Sequence, residues 1–181
     1  MESMDDLSQA LEAIKATREV GFDTESRPSF RKNDHYKVAL IQMATASHAW
    51  LIRTSILGLP QPLQDLLEDP SFRKIGVSTQ DDNFRLRAFG PYRPAGFVDL
   101  QPIARAIGLK EQSLRKLADS VLGLYVSKSA QLTNWEAESL KPNQILYAAT
   151  DAWIPLMLYR SETFQNYITT CGAPAPLHIE E

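Results

Sequence analysis

Leu7, Ala10, Leu11 and Ile14 stand at i, i+3, i+4 and i+7, one face of a helix, and predict a helix over residues 4–17. The period then shortens. Residues 19–25 carry the apolar run Val20-Gly21-Phe22, end in Asp23-Thr24-Glu25, and read as a strand. Residues 26–37 are a polar loop with Arg27, Pro28, Arg31, Lys32 and His35. Residues 36–44 and 47–53 are strand-like, rich in Val, Leu and Ile, with a short turn between them. The first three strands are therefore expected to join as antiparallel hairpins.

Strands and helices alternate from there. Residues 60–68 read as a helix with Leu63, Leu66 and Leu67 on one face, stopped by Pro70. Residues 73–77 are a short buried strand, followed by a helix over about 81–89. Pro91, Pro94 and Gly96 mark a turn. Phe97-Val98-Asp99 is a strand that feeds a helix through Ile107, with Gly108 as its cap. Ser113 is the expected N-cap of a helix to Leu122, whose core face is Leu114, Leu117, Ala118 and Val121. Residues 123–140 are mostly loop. Pro142 opens a last long helix to about Thr170, which Pro155 should kink or break. The pattern predicts an α/β fold, a mixed sheet with helices on its faces. Residues 1–171 form one domain in this reading, and 172–181 a flexible tail.

Composition narrows the classes. A chain of 181 residues buries about 70% of its unfolded surface without covalent staples. Cys171 stands alone, which excludes an internal disulfide and a cysteine zinc cluster, and a cytoplasmic location is expected. The N-terminus is acidic and no apolar run approaches a membrane span, so no membrane partner is expected. Net charge is −3, which argues against tight non-specific binding to duplex nucleic acid.

The chemistry starts at Asp23 and Glu25. Side chains two apart on a strand share a face, so both carboxylates stand side by side at the end of a buried run. Adjacent anions repel unless a cation lies between them, and hard carboxylate oxygens suit Mg²⁺ or Mn²⁺. Glu136 and Glu138 have the same spacing but lie in a polar stretch and read as surface.

Two more stretches join the first. Lys74-Ile75-Gly76-Val77 precedes Asp82 and Leu86, and Trp135-Glu136 precedes Gln144-x-x-Tyr147-Ala148-Ala149-Thr150-Asp151. With Phe22-Asp23-Thr24-Glu25, Leu40-Ile41-Gln42 and the Val98-Asp99 step, these resemble the tyrosine subgroup of the DEDD 3′–5′ exonucleases. The branch is that of ribonuclease D and the Werner-syndrome helicase exonuclease domain. The resemblance covers residues 15–160. It implies a ribonuclease H-like fold, a five-stranded mixed sheet with the second strand antiparallel. It implies removal of nucleotides from a single-stranded or frayed 3′ end with two divalent cations, Mg²⁺ or Mn²⁺. By resemblance Asp23, Glu25, Asp82 and Asp151 hold the metals, and Tyr147 orients the attacking water. Thr24, Arg27, Arg31, Lys32 and Lys128 are candidate substrate contacts. The other reading is a catalytically silent nucleic-acid-binding or scaffold protein on the same fold.

The residues agree with that chemistry on their own terms. Two cations about 3.5–4 Å apart supply a nucleophile and neutralise a leaving oxygen. Tyr147 and Asp151 are four apart, so a helix puts them on one face. Register separates Asp81 from Asp82: Leu86 lies four residues after Asp82 and seats the helix, whereas Asp81 falls about 100° away and is the expected N-cap. Trp135 reads as a packing anchor, and His35 and His48 have no partner at ligand spacing.

Overall fold

The computed structural model describes residues 1–28 and 36–172. Arg31, Lys32, His35 and the tail from residue 173 lie outside the described residues. Five strands form one sheet: β1 (Glu19–Ser26), β2 (Val38–Ala44), β3 (Ala49–Ile52), β4 (Arg73–Gly76) and β5 (Phe97–Asp99). They lie in the order β3-β2-β1-β4-β5. β1 is parallel to β4 and β4 to β5, while β2 is antiparallel to both β1 and β3. Only β2 runs against the rest, as the resemblance implies.

The helices are α1 (Met4–Lys15), α2 (Thr54–Leu57), α3 (Gln61–Glu68), α4 (Thr79–Leu86), α5 (Leu100–Ala106), α6 (Leu114–Leu117), α7 (Pro142–Arg160) and α8 (Glu162–Cys171). A 3₁₀ turn, Arg87–Phe89, extends α4, and a π-turn, Ala118–Leu122, extends α6. Apolar side chains fill both faces of the sheet. Leu7, Leu11 and Ile14 of α1 join Phe22, Leu63, Leu67, Leu86 and Phe97 on one side. Ile75 and Val98 join Ile103, Ile154, Leu158 and Phe164 on the other.

The alternation along β1 decides what the site can be. Phe22 faces the α1 side, edge-on to Phe97 with centroids 5.0 Å apart. Gly21, one residue earlier, faces α7. A Cβ built on Gly21 would overlap the carbonyl oxygen of Ala152. The glycine thus lets the α7 main chain rest directly on β1. Gly21→Ala is expected to destabilise the fold by about 2 kcal/mol or more, because neither backbone can move alone. Urea denaturation checks this; a midpoint equal to wild type would mean that α7 has slack.

Two buried polar residues hold helix ends. Lys74 is fully buried, and its Nζ donates to the carbonyls of Leu66 (3.0 Å) and Asp69 (2.8 Å), where α3 ends. Burial pulls its pKa down to about 7, with Asp69 opposing. Asp99 caps α5 by accepting from the Gln101 N–H at 2.9 Å. The same carboxylate accepts from the N–H groups of Ser78 (3.2 Å) and Thr79 (2.9 Å), so it also closes the start of α4.

That second role corrects one expectation. α4 begins at Thr79, so Asp81 lies inside the helix and is not its N-cap. Asp99, distant in sequence, supplies the acceptor a local cap would have given. Ser113 stands at the expected N-cap position but makes no side-chain capping bond. The last helix is also two helices. α7 runs through Pro155, which is buried, and the break falls at Ser161. Ser161 is extended (φ −65°, ψ 151°), and its hydroxyl accepts from the Phe164 N–H at 3.4 Å. Ser161 gives α8 a cap, whereas Pro155 removes one donor from a helix whose packing holds it in place.

Candidate active site

Asp23 and Glu25 leave the C-terminal end of β1 on the side covered by α7. Asp151 of α7 meets them there. One carboxylate oxygen from each of the three lies within 4.8 Å of the others. Burial, then Asp82, Asp151 and Glu25, pushes the Asp23 carboxyl well above the usual range. Burial, then Asp151 and Asp82, pushes Glu25 up to about 8. Burial raises Asp151 to about 6, with a hydrogen bond from Tyr147 and the charge of Arg115 opposing. The Asp151 Oδ1 atom is buried and has no hydrogen-bond partner among the described residues. An all-oxygen donor set, mutually repelling and with an orphaned oxygen, fits a hard divalent cation.

Asp82 arrives from α4. It is not one of the three oxygens that converge, but it lines the same cavity of about 380 Å³. Its Oδ1 accepts from the Thr24 hydroxyl at 2.5 Å. Thr24 is one residue out of phase with Asp23 and Glu25 on β1, and so faces α4 rather than α7. Its hydroxyl holds Asp82, a role that lies outside the substrate contact expected of it. Burial raises Asp82 to about 7, with the Thr24 bond and Arg85 opposing. Leu86, four residues on, is fully buried and seats the helix as the register required. Asp81 is exposed at the cavity rim.

Tyr147 sits one turn before Asp151 and is 7% exposed. Its ring lies 6.1 Å from that of Trp135, which is fully buried and anchors the preceding loop as expected. Burial, and then Asp151, raises the phenol pKa, so the hydroxyl keeps its proton at neutral pH. Its oxygen accepts from Arg115 Nη2 at 2.9 Å. Arg115 was missed in the sequence. It stands on a four-residue helix outside every motif, and only the tertiary fold brings it to Tyr147.

A second cavity, of about 750 Å³, shares Glu25, Arg85 and Gln131 with the first. Arg27, Lys37, Arg87, Tyr36, Phe84 and Leu132 complete most of its wall. Arg27 lies 5.1 Å over the Tyr36 ring and 3.8 Å from Glu136, which is on the surface as expected and forms an exposed ion pair there. Phe84 is 72% exposed, a large apolar side chain left in water beside basic ones. Lys128 is exposed and lines neither cavity.

Residues 1–161 match the family model described as 3′–5′ exonuclease. The chain belongs to the 3′–5′ exonuclease family. Mouse WRN, a bifunctional 3′–5′ exonuclease and ATP-dependent helicase, is 35% identical over 147 residues, 78% of this chain and 10% of that protein. Haemophilus influenzae ribonuclease D is 34% identical over 143 residues, 77% of this chain and 35% of that protein. The chain thus spans a tenth to about a third of the length of these relatives. Escherichia coli RNase D superposes with a TM-score of 0.75 at 28% identity, over 87% of this chain and 42% of that one. The Aedes aegypti Nibbler EXO domain shares the fold with a TM-score of 0.80 at 22% identity, over 94% of this chain and 88% of that one. These neighbours carry the ribonuclease H-like fold. No helix among the described residues is long and apolar enough to cross a membrane.

Proposed function

We propose that this family member hydrolyses nucleotides from the 3′ end of a nucleic acid, using two divalent cations, Mg²⁺ or Mn²⁺. The observation that carries the reading is the convergence of Asp23, Glu25 and Asp151, with Asp82 and Tyr147 on the same cavity wall. All four acids are present, which favours an active enzyme over a silent binding protein on this fold.

Asp23, Glu25, Asp82 and Asp151 would hold the divalent cations, which when bound would activate a water and neutralise charge on the leaving 3′ oxygen. The chain's own residues do the rest. Thr24 holds Asp82 in place. Tyr147 keeps its proton and offers a hydroxyl beside Asp151, where an attacking water is oriented. The 3′-terminal nucleotide occupies the acidic cavity, and the strand behind it crosses the wider one. There Arg27, Lys37, Arg85 and Arg87 meet phosphates, and Phe84 offers a face to a base. Two cavities that share Glu25, Arg85 and Gln131 offer one continuous path for a strand, which supports a single-stranded or frayed end as the substrate. Escherichia coli RNase D is an exoribonuclease involved in structured RNA processing, and RNA is accordingly the first substrate to test.

A 5′-labelled oligonucleotide with Mg²⁺ or Mn²⁺ should shorten stepwise into a ladder, with mononucleotide released. Excess chelator should abolish the ladder. Equal degradation in chelator, or a single internal cut, would end the reading.

A further inference from the structure

Arg115 has a geometry that the proposed reaction does not yet use. One guanidinium nitrogen, Nη2, bridges Tyr147 Oη at 2.9 Å and Gln131 Oε1 at 3.2 Å. Its Nε is buried without a hydrogen-bond partner among the described residues. The side chain lines the acidic cavity beside Glu25 and Asp151, and its positive charge favours the ionised form of both.

Donor and acceptor chemistry gives this contact a direction. A phenol has one hydrogen to donate and lone pairs that accept. A guanidinium only donates. When Arg115 takes one lone pair of Oη, the phenolic hydrogen is left for the other side of the oxygen, which faces Asp151. Without Arg115 the oxygen loses the donor that fixes which of its two in-plane positions carries the hydrogen, and the hydroxyl is oriented by Asp151 alone. Gln131 holds the guanidinium from the loop after α6. The loop, the arginine and the tyrosine therefore form a three-part brace.

We propose that Arg115 is a positioning residue for hydrolysis, fixing the Tyr147 hydroxyl as a donor aimed at the water beside Asp151. This rests on the exonuclease reading above. It differs from a direct contact between Arg115 and the scissile phosphate, which would act on substrate binding and without Tyr147.

A double-mutant cycle separates the two. Arg115→Ala should lower kcat by about ten- to a hundredfold, the scale of a misplaced reacting group, with KM within about twofold. In a Tyr147→Phe background the same change should cost nothing further, because the hydroxyl it positions is gone. Arg115→Lys should rescue only part of kcat, since an ammonium lacks the planar fork. Multiplying effects in the double mutant, or a KM that rises with the loss of kcat, would overturn the proposal in favour of a phosphate contact. If Arg115→Ala does not fold, Arg115→Met keeps the stem and is read in the same way.

A second readout needs neither metal nor turnover. With ¹³Cζ-labelled tyrosine, the Tyr147 resonance, assigned through Tyr147→Phe, should shift in metal-free Arg115→Ala. An unmoved resonance refutes the hydrogen bond and the proposal with it. The two failures are distinct. A wild type that hydrolyses nothing with either metal ends the exonuclease reading, and the hydrolytic role of Arg115 falls with it. An unmoved resonance in an active enzyme ends the Arg115 proposal alone.

Discussion

Stripped of divalent cations, the protein should lose stability as pH rises from about 5 to about 7, and Mg²⁺ or Mn²⁺ should restore it. Burial raises Asp23, Glu25, Asp82 and Asp151 above their ordinary values, to about 8 for Glu25, about 7 for Asp82 and about 6 for Asp151. In this window the folded protein binds more protons than the unfolded chain, so stability falls as pH rises. The contribution is fully present below about pH 4 and is lost as pH passes through the folded values. Lys74 works the other way, because its lowered pKa makes stability rise with pH above about 7. The net loss therefore concentrates between pH 5 and 7, where each of these acids costs up to about 1.4 kcal/mol for every pH unit in which only the folded state keeps its proton. Bound cation replaces the protons and adds stability by mass action. Thermal melts in chelator and in 1 mM metal (a choice on the order of the usual assay range) measure both arms. A chelated protein whose Tm climbs steadily from pH 5 to 7 would contradict the buried-acid account.

Asp23→Asn should separate stability from turnover most sharply. The amide keeps the size of the side chain and removes the charge repelled by Asp82, Asp151 and Glu25. Hydrolysis should fall by about three orders of magnitude or more, since a neutral oxygen is a poor ligand for a hard cation. In chelator the same variant should lose less stability than wild type as pH rises, because one of the mutually repelling carboxyls can no longer ionise. Asp81→Ala is the control: that carboxylate is exposed and outside the converging trio, and its loss leaves folding and rate close to wild type. An Asp23→Asn variant that retains wild-type turnover would remove Asp23 from the metal set.

What could be read in the sequence was what repeats locally. Asp23 and Glu25 share a face because a strand has a period of two, and Tyr147 and Asp151 because a helix turn spans about four. The Asp82 register rested on Leu86, and both are buried on the α4 face turned to the sheet. The five-stranded sheet with its single reversed strand followed from the resemblance. What escaped were partners far apart in the chain. Asp99 caps α4 from 20 residues away, which moved the helix start and displaced Asp81 from its expected role. Thr24 reaches Asp82 across 58 residues, and Arg115 reaches Tyr147 across 32. Pro155 was weighed by its local cost, while the packing around it keeps α7 continuous. Periodicity carries no information on contacts of this kind.

The seat of α7 on Gly21 has an evolutionary consequence. Asp23 and Asp151 are spaced by two main chains in direct contact, not by the bulk of side chains between them. Exchanges elsewhere in the core, Leu for Ile or Val for Leu, alter how firmly the layers hold together. They do not alter the thickness of a joint that contains no side chain. The interior can therefore drift through many sequences while the gap between the acids stays the same. A mutational scan should find numerous core variants that melt early yet, while folded, cut at the native rate.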